Sequence, residues 1–95
     1  MGEREGARPA GMRGRPREIV VLQRAEHDLL ALGTADREAV ARHVDGLAAD
    51  PLPRGALPLH GAADGHLQLR VGRLRLLYRV RQDAILVVAI TGGPV

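Results

Sequence analysis

The sequence has no cysteine, no lysine, no tryptophan and no phenylalanine. The missing cysteines exclude disulfides, thiolate metal sites and a cysteine nucleophile, and they fit a reducing compartment. The missing lysines leave arginine as the only long cation. A guanidinium does not deprotonate in proteins, so any general base has to be sought among other residue types. Tyr78 is the one aromatic residue. No set of rings is available for stacking bases, and a core has to be built from Leu, Val, Ile and Ala. No apolar run reaches the ~18 residues of a membrane span, and the N-terminus has no apolar centre of the kind found in secretory signals. The expectation is a cytoplasmic protein that does not engage a membrane.

Ninety-five residues, 45% of them hydrophobic, make one domain at most. A core of that size stabilises a fold only marginally, which fits stabilisation by a bound partner. The net charge of +3 is unevenly spread. Residues 1–17 hold five arginines against two glutamates, residues 18–53 three arginines against seven acids, and residues 54–95 six arginines against two acids. An acidic first half therefore joins a basic second half. Such polarity favours a nucleic acid or an acidic protein at the basic end.

Residues 1–17, rich in Gly, Pro and Arg, read as a disordered basic tail ahead of a folded domain at 18–95. Met12 is an alternative start to Met1, with the residues before it an extension. Glu18 to Leu22 is a β-branched run and reads as a strand. Ala25, Leu29 and Leu32 fall at helical spacing, giving a helix over about 24–32 with Gly33 as its C′ stop. Thr34 reads as the next N-cap, with Asp36 and Glu38 in the first turn, where acids suit the helix dipole. Val40, Val44, Leu47 and Ala48 form one apolar stripe, and Pro51 requires that helix to end by Asp50. Residues 51–65 read as a loop in which Leu57 to Gly61 is at most a short extended piece.

The stretch from His66 to Val80 carries the clearest pattern. Leu67, Leu69 and Val71 alternate with His66, Gln68 and Arg70. After Gly72-Arg73, the residues Leu74, Leu76, Tyr78 and Val80 alternate with Arg75, Leu77, Arg79 and Arg81. Period-2 alternation around a two-residue turn that begins with glycine signals a type II′ hairpin. In that register Arg70 faces Arg75 and His66 faces Arg79, while Tyr78 joins the apolar face. Like charges directly opposite each other destabilise a sheet, and an anion held between them reverses the sign. Arginine suits that role because it holds phosphate by paired hydrogen bonds. Arg70, Arg73, Arg75, Arg79 and Arg81 are therefore the candidate nucleic-acid contacts. The plainer reading is the solvated face of an antiparallel sheet.

A turn at Gln82-Asp83 leads to Ala84–Thr91, which is continuously apolar, as expected of a strand covered on both sides. The resulting fold class is α+β in the order β-α-α-β-β-β, with two helices on one face of a mostly antiparallel sheet. His27 and His43 lie on helices without a second ligand at i+4, and the glycines match no phosphate-binding loop, so neither metal nor cofactor is expected.

At this point the sequence resembles the RelE/ParE superfamily of bacterial toxins. The resemblance rests on the core Arg70-Val71-Gly72-Arg73-Leu74-Arg75-Leu76-Leu77-Tyr78, on Leu47…Asp50-Pro51…Leu59-His60-Gly61, and on the element order. It spans about 18–91. It implies the toxin of a type II toxin–antitoxin system, neutralised by a cognate antitoxin and linked to bacterial stress responses. RelE-like members inhibit translation as ribosome-dependent endoribonucleases acting on mRNA, whereas ParE-like members inhibit DNA gyrase without cleavage. A degenerate member would keep only antitoxin binding. By motif position Arg75 matches the arginine that contacts the scissile phosphate, and Arg70 a basic position on the neighbouring strand. RelE-like nucleases continue past the last strand with a basic or His-Arg element and a tyrosine. Here the sequence reads Thr91-Gly92-Gly93-Pro94-Val95.

Cleavage of RNA through its 2′-hydroxyl needs a base, charge stabilisation and an acid. The arginines can stabilise charge. His66, placed beside Arg79, is the candidate base, since histidine titrates in the right range and neighbouring cations favour its neutral form. The alternative is an ordinary surface histidine. His60, in the loop, is a weaker candidate.

Overall fold

The computed structural model describes residues 16–59 and 65–92. Residues 1–15 of the tail expected over 1–17 lie outside the described residues, as do His60, Gly61, Asp64 and the stretch 93–95. Arg17, assigned to the tail, belongs to the folded body: its N–H donates to Ala48 O at 2.8 Å and its Nε to Arg81 O at 2.9 Å.

The chain forms β1 (Glu18–Val21), α1 (Gln23–Leu30), α2 (Thr34–Ala49), β2 (Leu57–Pro58), β3 (His66–Val71), β4 (Leu74–Val80) and β5 (Ala84–Gly92). One five-stranded sheet runs in the order β1-β5-β4-β3-β2. The β1–β5 pair is parallel and the other three pairs are antiparallel. The expected α+β order holds, with the piece at Leu57 supplying a two-residue edge strand.

Both helices lie on one face of the sheet. Ala25 of α1 and Val40, Val44 and Leu47 of α2 pack on Leu69, Val71, Leu74, Leu76, Tyr78, Ile85, Val87 and Ile90. Each Val, Leu or Ile removed from water contributes about 1.5–3 kcal/mol before entropic costs. Tyr78 is fully buried, and its hydroxyl donates to Pro51 O at 2.8 Å. Burial, with a smaller contribution from the nearby Asp50 carboxylate, raises its pKa to about 12.

Two capping expectations are corrected. Gly33, not Thr34, is the N-cap of α2, and its φ of −68° is not the left-handed conformation of a helix stop. The first helix ends at Leu30, two residues earlier than its spacing implied. Its last carbonyls are met by short i→i+3 bonds, Ala31 N to Asp28 O at 3.2 Å and Leu32 N to Leu29 O at 3.1 Å. The Arg37 guanidinium then donates to Leu32 O at 2.9 Å. A cation from the next helix thus does the work expected of a left-handed glycine.

A third correction concerns β5. Its burial alternates, with Leu86 and Val88 only half-buried. The strand is central in the sheet but covered by helices on one side, so its apolar sequence leaves a partly exposed band on the other.

Candidate functional site

The open face of the sheet is built around the β3–β4 hairpin. Gly72 has φ +61°, and no non-glycine residue has a positive φ among those described. Arg73 therefore stays at negative φ, the combination of a type II′ turn rather than I′. The pairing is as the sequence implied: Val71 with Leu74, Arg70 with Arg75, Leu69 with Leu76, Gln68 with Leu77, Leu67 with Tyr78 and His66 with Arg79. Arg70 and Arg75 consequently share the face opposite the helices, and so do His66 and Arg79.

A β-bulge completes this face. Leu77 pairs with Ala89 but Tyr78 pairs with Val87, so Val88 is the extra residue. Alternation along β5 is thereby rephased. Ile90 turns into the core, and Thr91 falls opposite Arg75. Arg75 sits between Arg70 on one side and Thr91 on the other. Thr91 was missed in the sequence, because alternation counted without the bulge sends it to the wrong face. Asp28 supports the same irregularity: its Oδ2 accepts from Ile90 N at 3.0 Å while Arg24 Nε donates to both Asp28 oxygens at 3.2 and 3.1 Å.

The five candidate arginines do not all reach one place. Arg70, Arg75 and Arg79 lie on the open face, and among the described residues no carboxylate forms an ion pair with them. The Arg79 guanidinium lies near Gly65, where a Cβ would be 3.8 Å from its Nε. Arg73 leaves the group. It turns toward the helical layer and pairs with Asp36 at 2.9 Å, because the turn places it at the rim of the sheet. Arg81 stands at the β4–β5 turn, where its N–H donates to Ala84 O at 2.7 Å and its carbonyl accepts from Arg17. His66 is half-buried opposite Arg79. Among the described residues no cluster of three or more metal-ligating side chains occurs, and no helix is long and apolar enough to cross a membrane.

Beside the arginines, running from Leu77 on β4 across β5 to β1, lies a half-buried apolar strip of Leu77, Leu86, Val20 and Val88, with Ala89 buried among them. The face is thus a shallow apolar floor flanked on the β3–β4 side by cations. Cations so placed stabilise a bound polyanion by charge and paired hydrogen bonds. No aromatic side chain is exposed on it, since Tyr78 is in the core.

No protein-family model matches the sequence, and no curated protein sequence matches it. Solved structures do. The toxin–antitoxin complex RelBE2 from Mycobacterium tuberculosis contains a chain with 26% identity and a TM-score of 0.72, over 81% of this chain and 98% of that one. The archaeal RelE–RelB complex from Pyrococcus horikoshii gives 20% identity and a TM-score of 0.71, over 81% and 94%. The isolated RelE toxin of Escherichia coli gives 17% identity and a TM-score of 0.71, over 83% and 86%. The latter two likenesses are of fold.

Proposed function

The chain belongs to the RelE/ParE superfamily, and from that premise we propose that it is a RelE-like toxin that inhibits translation by cleaving mRNA on the ribosome. The observation that carries this reading is the Arg70–Arg75 pair on the open face, joined by Arg79 and flanked by Thr91. Two guanidinium groups held opposite each other repel until an anion enters, and a phosphodiester supplies one. In this scheme Arg75 contacts the scissile phosphate, Arg70 holds the adjacent charge, and both stabilise the phosphorane as it forms. Arg79 lowers the cost of an approaching backbone, and His66 takes the 2′-hydroxyl proton as the 2′-oxygen bonds to phosphorus; the bond from phosphorus to the 5′-oxygen breaks, and that leaving oxygen takes its proton from water. Arg81 and Arg73 stand at the margins and contribute to long-range attraction only. The partners are the ribosome with its mRNA and a cognate antitoxin, and the chemistry needs neither metal nor cofactor.

A second reading is a ParE-like toxin that inhibits DNA gyrase without cleaving anything. The absence of lysine and the small number of groups able to move a proton among the described residues of this face favour it. A test of both readings is induced expression of the wild type and of Arg75→Ala, with transcripts mapped for ribosome-dependent cuts and gyrase supercoiling assayed in parallel. The nuclease reading expects cuts that vanish in Arg75→Ala while the variant remains folded. Growth arrest with intact transcripts and blocked supercoiling would replace it with the second reading.

A further inference from the structure

The open face divides into three rows that run across the strands, because residues paired between neighbouring strands point to the same side. The first row holds Arg70, Arg75 and Thr91. The second, two residues back along β3, holds Leu57, Gln68, Leu77 and Ala89. The third holds His66, Arg79 and Leu86. Cations therefore stand on both sides of a middle row that is apolar except for Gln68.

Gln68 is half-buried between two leucines, Leu57 on β2 and Leu77 on β4. Among the described residues its amide makes no hydrogen bond within the protein. Packing gives no reason for an amide here, since a β-branched or aromatic residue pairs better with leucine neighbours across a sheet. The row is also open at its β2 end, where Leu57 is 58% exposed. The register brings this amide close to the proposed chemistry. Gln68 is the diagonal neighbour of Arg75, about 7–8 Å away along the backbones, well within the combined reach of the two side chains.

We propose that Gln68 reads the nucleobase next to the phosphate held by Arg75, and that it selects adenine. The proposal rests on the RNA-cleaving reading and deepens it by naming a determinant of sequence preference. A nucleotide gripped through its backbone by Arg70 and Arg75 on one side and by Arg79 on the other lays its base over the middle row. The flat face rests on Leu77, an apolar substitute for the aromatic platform this face lacks. The edge turns to Gln68, with Leu57 closing the far side. A glutamine amide offers one donor and one acceptor side by side. Adenine presents the complementary pair on both of its edges, the N6 amino group with N7 and the same group with N1. Guanine shows two acceptors, N7 and O6, on one of its edges, which leaves the glutamine carbonyl without a donor there. Pyrimidines have the smaller ring and cover less of the leucine floor.

The test titrates the full chain with the 2′-O-methyl trinucleotides UAU, UGU, UCU and UUU, which lack the attacking hydroxyl, and follows the Gln68 side-chain amide by heteronuclear NMR. UAU is expected to shift that amide and to bind at least fivefold more tightly than the other three. Gln68→Leu should bind UAU at least fivefold more weakly than the wild type. Gln68→Asn, which keeps the amide on a shorter stem, should keep the order of preference. Urea midpoints establish that both variants are folded. Absence of binding, equal binding of the four, a Gln68 amide that UAU does not move, or an adenine preference that survives in Gln68→Leu would overturn the proposal. Tighter binding of UGU that Arg70→Ala abolishes would overturn it as well, and would assign base reading to Arg70. Cleavage on the ribosome is scored separately. Cuts by the wild type with no adenine preference remove this assignment and leave the nuclease reading; adenine-selective binding without cuts does the reverse.

Discussion

Arg70 on β3 and Arg75 on β4 stand directly opposite each other, and among the described residues neither is paired with a carboxylate. Opposed like charges cost a sheet a few tenths of a kcal/mol or more, and salt screens that cost. Arg75→Thr is therefore expected to raise the urea midpoint slightly at low ionic strength, with the gain vanishing at high salt. The same variant should lose growth arrest. By contrast Arg73→Ala removes a surface ion pair with Asp36, worth about 0–1 kcal/mol, and should remain toxic. A toxic Arg75→Thr would remove the proposed phosphate contact.

The bulge on β5 depends on Asp28. Its carboxylate is the acceptor for Ile90 N, a part-buried donor next to the rephased residues. Leaving such a donor without a partner costs about 1–3 kcal/mol. Asp28→Ala should lower stability by that amount in urea unfolding, and Asp28→Asn, which keeps an oxygen in place, should lose less. Equal stability of all three proteins would show that the bulge holds without this bond.

Tyr78 gives an optical handle because it is the only aromatic residue. Its phenolate should appear at 295 nm near pH 12 in the native protein and near pH 10 in guanidinium. A raised native pKa means that the folded state holds its proton longer than the unfolded one. The associated stability is fully present below about pH 10 and declines as pH rises towards 12, by an amount on the order of 2 kcal/mol. A native titration midpoint at pH 10 would contradict the burial described for this ring.

Gly72 tests the turn. A Cβ there meets nothing within 4 Å, but φ is +61°. Gly72→Ala therefore carries a conformational cost alone, roughly 1–2 kcal/mol, and Gly72→Asn a smaller one. Denaturant melts of the three proteins measure the series. If alanine costs nothing, the turn is not of the II′ type, and the facing of Arg70 and Arg75 loses its support.

Much of this molecule was legible from local pattern. Alternation through Leu67–Val80 and a glycine-first turn gave the hairpin register residue by residue, because strand period and turn length leave no slack. Tyr78 was placed in the core by the same count. The apolar run in β5 gave a strand but not its surroundings. A run without alternation states that both faces avoid water, and it cannot say whether the chain itself supplies both covers. The same limit applies at the site: Arg73 and Arg75 are two residues apart, yet one pairs with Asp36 and the other remains on the open face.

What the sequence settled alone was whatever is decided within a few bonds: the strand and helix order, the II′ turn, and the opposition of Arg70 to Arg75. Tertiary structure decided the bulge at Val88, the diversion of Arg73 to Asp36 and the Arg37 cap on α1. Each of these joins elements distant along the chain, so its energy depends on where the backbone has already been carried. Local periodicity contains no record of such distances.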